Sequence, residues 1–243
     1  MLEIKGLRLP TIKCVGCGAE IPKGTACRYC MGLIDTPKDY SYQRFSIVGK
    51  KKKNAPAEVW GFGVEIETLS ESPSQLILLK KGFTPCIDST VTLEWKSPIF
   101  QSLLGFKGIC KTIEEMDVSH GGSHVHVSVQ RKDLFQDHYE EIFHPLADFL
   151  YGTSFYEIWG RRDTSYCNLP GSAYKRHSWV NVNTNYSTIE WRLPKFVSAE
   201  QYYNLVKWLT NVTWGLDRKL LSKKSPRAIG NWLLNNYQQQ MAA

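Results

Sequence analysis

Ser123-His124-Val125-His126-Val127-Ser128-Val129-Gln130 alternates polar and apolar residues without a break. In an extended chain successive side chains point to opposite faces, so this stretch reads as a β-strand with His124, His126 and Ser128 on one face and the valines on the other. A lone buried histidine is an ordinary core residue. Two imidazoles on one face of a valine strand form a polar patch that the rest of the sheet has to answer.

Other segments carry the same pattern. Gly61-Phe62-Gly63-Val64-Glu65-Ile66-Glu67, within a strand predicted over 59–68, puts two carboxylates at i and i+2 on one face. By itself that pair describes a solvated edge; on a buried sheet the charges repel until a proton or a divalent cation neutralises them. Glu94 lies in a third apolar strand over 91–95, within Asp88-Ser89-Thr90-Val91-Thr92-Leu93-Glu94-Trp95-Lys96-Ser97-Pro98. Thr188-Ile189-Glu190-Trp191-Arg192 adds a same-face acid and guanidinium on a fourth, paired in a predicted hairpin with 179–184 through a turn at Asn185-Tyr186-Ser187. One sheet face then carries ionisable groups from four strands with no apolar cover, an arrangement that calls for cations.

Three or four carboxylates with an imidazole can hold two Mg2+ or Mn2+ ions, and the planar fork of Arg192 suits a phosphate. The chain has neither a GxxxxGK[ST] loop nor a GxGxxG turn after a strand, so metals and arginines on the sheet would have to hold a nucleotide's phosphates.

Helical periodicity fills the spaces between strands. Asp133 to Tyr151 reads as a helix stopped by Gly152; Ser198 caps a second running to about Leu220; Ser225-Pro226 opens a third ending near Tyr237, with Gln238-Gln239-Gln240 as a frayed tail. Strands and helices interspersed in this way give an α+β fold class. With 42% hydrophobic and 22% charged residues, the chain is an ordinary globular one, which excludes disorder, collagen and coiled coil. Its 243 residues suffice for one sizeable core plus a small appendage. No run approaches the roughly 20 apolar residues that span a bilayer, and MLEIKGLRLP lacks a signal-peptide core, so a soluble, cytoplasmic protein without a membrane partner is expected.

The appendage is expected at residues 1–31. Cys14-x2-Cys17 and Cys27-x2-Cys30 have the spacing of two knuckles whose four thiolates complete a tetrahedron around Zn2+. A unit this small has little folding energy other than metal, and four cysteines close the coordination sphere, so the zinc is structural. Residues 32–57 form a basic linker containing Lys50-Lys51-Lys52-Lys53, and 58–243 form the main domain.

In order along the chain, Glu65-Ile66-Glu67, the Asp88 and Glu94 segment ending in Ser97-Pro98, Gly122-Ser123-His124-Val125-His126, and Thr188-Ile189-Glu190-Trp191-Arg192 resemble the amidoligase family, within the glutamine synthetase and glutamate-cysteine ligase superfamily of carboxylate-amine ligases. The resemblance covers about residues 58–196. It implies a glutamine-synthetase-like domain with a curved, largely antiparallel sheet whose concave face carries the metals, and ATP-dependent amide formation. By the same resemblance Glu65 and Glu67 divide between two Mg2+ sites, Glu94 joins one, and His124 and Glu190 join the other. Arg192 faces the transferring γ-phosphoryl group, His126 supports the strand or nucleotide pocket, and Asp88 occupies an acidic position of the family. Ser89 and Ser123 stand where the family commonly has glycine or a glycine-apolar pair. Arg161 and Arg162 are candidates for a second phosphate or a substrate carboxylate, and an exposed basic loop describes them equally well. The segments 69–86 and 160–177 are the candidate lid and substrate loops.

The expected function is thus an ATP- and Mg2+-dependent carboxylate-amine ligase working through an acyl phosphate. Its amine is one on a protein, polyamine or nucleic acid, and the net charge of +7 with the zinc unit favours a macromolecular or phosphate-rich substrate. Two alternatives stand beside it. One is a zinc-containing nucleic-acid-binding or adaptor protein on an inactive ligase scaffold. The other is a metal-dependent nuclease or hydrolase using Glu65, Glu67, Asp88 and His124.

Overall fold

The computed structural model of the chain describes residues 61–70, 74, 77–78, 81, 83–86, 93–100, 103–116, 118–151, 159–161, 167–184 and 187–242, with the backbone of four short strands nearer the N-terminus. Those strands, β1 (Leu2–Ile4), β2 (Leu7–Leu9), β3 (Thr11–Lys13) and β4 (Glu20–Pro22), form two antiparallel pairs, β1 with β2 and β3 with β4. The zinc-type cysteines Cys14, Cys17, Cys27 and Cys30, the basic linker, Asp88 and Arg162 lie outside the described residues.

The main part is mixed α+β, with antiparallel strands and helices in two compact units. The first unit includes Gly63–Ser123 and Phe196–Tyr203. Its strands are β5 (Phe62–Thr68), which begins one residue before the unit, β6 (Thr84–Cys86) and β7 (Leu93–Lys96), together with the first half of β8 (His120–Ser128). Strand β7 pairs antiparallel with β5 on one side and with β6 on the other. In the β5–β7 register, Ile66 opposes Trp95, Glu65 opposes Lys96 and Glu67 opposes Glu94. The pleat therefore sends Val64, Ile66 and Trp95 into the core, all fully buried, and turns Glu65, Glu67, Glu94 and Lys96 to the other face.

Helix α1 (Phe106–Glu114) closes that core with Phe106, Ile109, Cys110 and Ile113, a spacing of three and four that sequence reading passed over. Phe106 meets Phe100 edge-on at 5.2 Å, and Tyr202 packs against Phe106 and Phe196. Burial in this apolar setting pushes the Cys110 thiol up to about 12, the behaviour of an inert core cysteine.

The second unit includes His124–Lys195 and Asn204–Ala243. The latter half of β8 pairs antiparallel with β10 (Thr188–Trp191), which pairs in turn with β9 (Val180–Asn181). Ile189 opposes Val127 and Trp191 opposes Val125, while Glu190 opposes both His126 and Asn181. The predicted hairpin is present with shorter strands, and part of its turn, Asn185 and Tyr186, lies outside the described residues.

Behind the apolar face, Trp159 stacks on Trp191 and on Tyr237, and Trp179 meets Trp191 edge-on at 5.6 Å. The indole of Trp191 donates to Thr213 Oγ1 at 2.9 Å, so its polar end is also satisfied. Asp217, fully buried, accepts the Gln130 N–H at 3.1 Å and ties the end of β8 to the long helix behind it; burial pushes its carboxyl up.

The helices depart from the sequence-based boundaries in two places and meet them in a third. The stretch predicted as one helix over 133–151 is two, α2 (Lys132–Asp137) and α3 (Tyr139–Tyr151), broken at His138. Ser198 does cap α4 (Ala199–Leu221), its Oγ accepting the Gln201 N–H at 3.2 Å. The last helix, α5 (Pro226–Ala242), runs through Gln238-Gln239-Gln240, which are helical rather than frayed. Its Gly230 is required where α5 crosses α3, because a Cβ there would stand 2.2 Å from the Glu141 carbonyl oxygen. Pro145 has no N–H to give that carbonyl, so the bare glycine lies against the one turn of α3 whose backbone ladder is interrupted. Among the described residues, no helix is long and apolar enough to cross a membrane.

Candidate functional site

Each unit carries a polar cluster on the face opposite its core. In the first unit, Glu65, Glu67, Glu94 and Lys96 share a face because β5 and β7 are antiparallel and in register. Lys96 Nζ lies 3.0 Å from Glu65 Oε1 and 2.8 Å from Glu94 Oε1. Both carboxylates are buried, whereas the lysine side chain is 28% exposed. Glu67 Oε2 accepts the Gly122 N–H at 2.6 Å. The adjacent Gly121 makes room for this carboxylate, since a Cβ there would lie 3.2 Å from the same oxygen. Ser123 Oγ donates to the Glu65 carbonyl at 2.8 Å and meets the Tyr202 hydroxyl in a short hydrogen bond, so this serine ties β8 to β5 and α4.

The expectation that a proton or a divalent cation neutralises these acids is incomplete. Lys96 is a protein cation already seated between Glu65 and Glu94. In their charged forms, three carboxylates and one ammonium still leave two negative charges on the face. Carboxylate oxygens are the donors that Mg2+ and Mn2+ take, and the ammonium stands where a cation is needed, so the donor set fits a divalent ion.

In the second unit the converging group is Glu190. Its Oε1 lies 3.2 Å from His124 Nδ1 and also receives Arg192 Nη1, while its Oε2 accepts from Asn181 Nδ2 at 2.6 Å. All four residues are buried. A carboxylate facing Nδ1 favours the proton on that nitrogen and leaves the lone pair on Nε2, the arrangement in which a carboxylate orients an imidazole for a metal. His126, opposite Glu190 in the register, offers a ring nitrogen within 4.8 Å of a Glu190 oxygen, near enough for both to reach one ion.

Arg161 Nη1 donates to the Arg192 carbonyl at 3.2 Å and so braces the end of β10 with part of the fork expected to bind phosphate or substrate. Partial desolvation, followed by the positive charges of Arg192 and Arg176, holds His177 below the ordinary histidine range.

No family model, curated protein or solved structure matches the chain.

Of the predicted site residues, the first unit thus brings together Glu65, Glu67 and Glu94, and the second brings together His124, His126, Glu190 and Arg192, with Arg161 beside the last. Two participants were missed. Lys96 lies two residues after Glu94 on the same strand, and the period-two rule applied to Glu94 would have found it. Asn181 carries no local signal, since only the β9–β10 register sets it against Glu190.

Proposed function

We propose that the chain is a soluble, cytoplasmic ATP- and Mg2+-dependent carboxylate-amine ligase of the amidoligase type, on a curved glutamine-synthetase-like sheet with an N-terminal structural Zn2+ unit. The observation that carries this reading is the hold on Glu190, whose buried carboxylate receives an imidazole, a guanidinium and an amide at once. ATP with Mg2+ supplies the phosphoryl group that turns a poorly electrophilic carboxylate into an acyl phosphate from which an amine can displace phosphate.

What the protein adds is fixed charge. Glu190 keeps the Arg192 fork in one rotamer, so positive charge stands ready for a phosphoryl group without reorganisation. The same carboxylate sets the His124 tautomer and leaves Nε2 as the ligating atom. Glu65, Glu67 and Glu94 supply the oxygen donors of the first unit, and His124, His126 and Glu190 the ligands of the second. Asp88 and Arg162 enter through the family resemblance, as an acid of the site and a further phosphate or substrate contact. The basic balance of the chain favours an amine carried by a protein or nucleic acid.

The test is ADP release by the full chain in Mg2+, with carboxylates and amines supplied singly and together. Release that requires both supports the ligase. No release across a broad panel of amino acids and polyamines, with no rise in melting temperature on adding Mg2+ and ATP together, overturns it. Metal-dependent cleavage of nucleic acid without ATP would instead identify a hydrolase. Salt-sensitive nucleic-acid binding lost on substituting Lys51 to Lys53, with no nucleotide affinity, would identify a binding module.

A further inference from the structure

The ammonium of Lys96 occupies the place between Glu65 and Glu94 with hydrogen-bond distances of 3.0 and 2.8 Å to the two carboxylates. The three side chains come from two adjacent strands, with Lys96 directly opposite Glu65 and Glu94 directly opposite Glu67. We infer that Lys96 is the resident counter-cation of the Glu65–Glu94 pair and that a divalent cation takes this pair only by displacing it. The inference rests on the metal-dependent reading above and adds to it a competitor built into the chain.

Three physical points lead there. A Mg2+ ion binds carboxylate oxygens at about 2.0–2.1 Å. Bound to the oxygens that now hold the ammonium, it would bring two positive centres into near contact on a poorly solvated face, so the two cations exclude one another. The mobile partner is also identifiable. Glu65 and Glu94 are buried and set by their strands, whereas Lys96 is 28% exposed and has a flexible four-carbon stem that can carry its charge out to water. Finally, charge favours the exchange, because replacing a monovalent ammonium by a divalent ion better neutralises the three carboxylates of this face. Lys96 thereby keeps the acids compatible with folding before metal arrives and sets the metal concentration at which the site fills.

The experiment measures Mn2+ binding to the full-length chain from the loss of the free-ion EPR signal, without nucleotide. Wild type, Lys96→Met, Lys96→Arg and the double variant Lys96→Met with Glu94→Gln are compared, and circular dichroism establishes that each is folded. A unit charge at this range changes a binding equilibrium by about ten- to a thousandfold. Lys96→Met is therefore expected to bind Mn2+ at least about tenfold more tightly than wild type. Lys96→Arg should stay within a few-fold of wild type, and the gain should vanish in the double variant. Without metal, Lys96→Met should melt lower than wild type and recover on adding Mn2+.

Mn2+ binding by wild type that Lys96→Met leaves unchanged, or a gain that survives Glu94→Gln, overturns the role of Lys96 and leaves the ligase reading standing. If Lys96→Met does not fold without metal, Lys96→Gln takes its place with the same expectations. No Mn2+ binding by any folded variant at millimolar concentration overturns the inference, since the Glu65–Glu94 pair then takes no divalent ion for Lys96 to oppose, and leaves the ligase reading to its own test with ATP present.

Discussion

Asn181 Nδ2 donates to Glu190 Oε2 across 2.6 Å, and the oxygen of the same amide accepts the Asn183 N–H at 2.9 Å. The second bond orients the first: with the carbonyl turned to a backbone donor, only the NH2 group faces the carboxylate. Asn181 therefore holds Glu190 as an acceptor while His124 and Arg192 approach its other oxygen. Asn181→Ala removes a buried hydrogen bond to a charged group and should cost about 1.5–3 kcal/mol. Asn181→Asp should cost more, because it sets two buried carboxylates against each other. Urea unfolding of the two variants checks both the size and the order.

Arg192→Lys keeps the charge at β10 but loses the planar fork. If the proposed chemistry holds, ADP formation should fall by about 10²–10³-fold, the usual loss when one pre-organised donor is removed, with the circular dichroism spectrum unchanged. Single-turnover measurement at saturating Mg2+ and ATP separates this from weaker binding.

The buried carboxyl of Asp217 is raised by desolvation, with the N–H groups of Gln130 and Arg131 opposing that rise. A carboxyl raised in the folded state keeps its proton there to higher pH than in the unfolded chain. Its contribution to stability is thus fully present below the unfolded value, about 3.9, and declines as pH rises through the folded value. Asp217→Asn cannot titrate, so the stability of wild type relative to this variant should decrease from pH 4 upward and then level off. Denaturant unfolding of both proteins across that range measures the difference; a constant difference would show that Asp217 is not the group responsible.

Gly230→Ala should destabilise the protein by about 1–3 kcal/mol, because the added methyl meets the backbone oxygen of Glu141 and that atom cannot move without shifting α3. Gly108 provides the comparison: among the described residues nothing beyond its own helical turn lies within 4 Å of a Cβ at that position in α1, and alanine there should be neutral or stabilising. Melting temperatures of the two variants test the contrast.

Much of the sheet was legible because its pattern is local. Alternation alone assigned Val125 and Val127 to the core and His124 and His126 to the other face, and the same rule separated Val64 and Ile66 from Glu65 and Glu67. The Ser198 cap was legible for the same reason, since its partner is three residues away. Reading failed where longer-range packing chose between options. Helix α1 shows its apolar spacing over only nine residues, and its place is secured by Phe100 and Tyr202, the latter distant in sequence. The glutamines after Tyr237 look like a polar tail, yet they continue a helix anchored upstream by Leu233 and Tyr237 in the aromatic core.

The sequence by itself determined which residues face the core and which face away, because pleat and helical pitch are properties of a short stretch of backbone. It also determined that acids, imidazoles and a guanidinium would gather on the polar faces of the strands. Only the tertiary structure decided what balances them. Lys96 meets Glu65 across thirty-one positions of chain, and Asn181 meets Glu190 across nine, each through strand register. Register is set by the summed packing of whole strands and their turns, so no local pattern at Lys96 announces Glu65 and none at Asn181 announces Glu190.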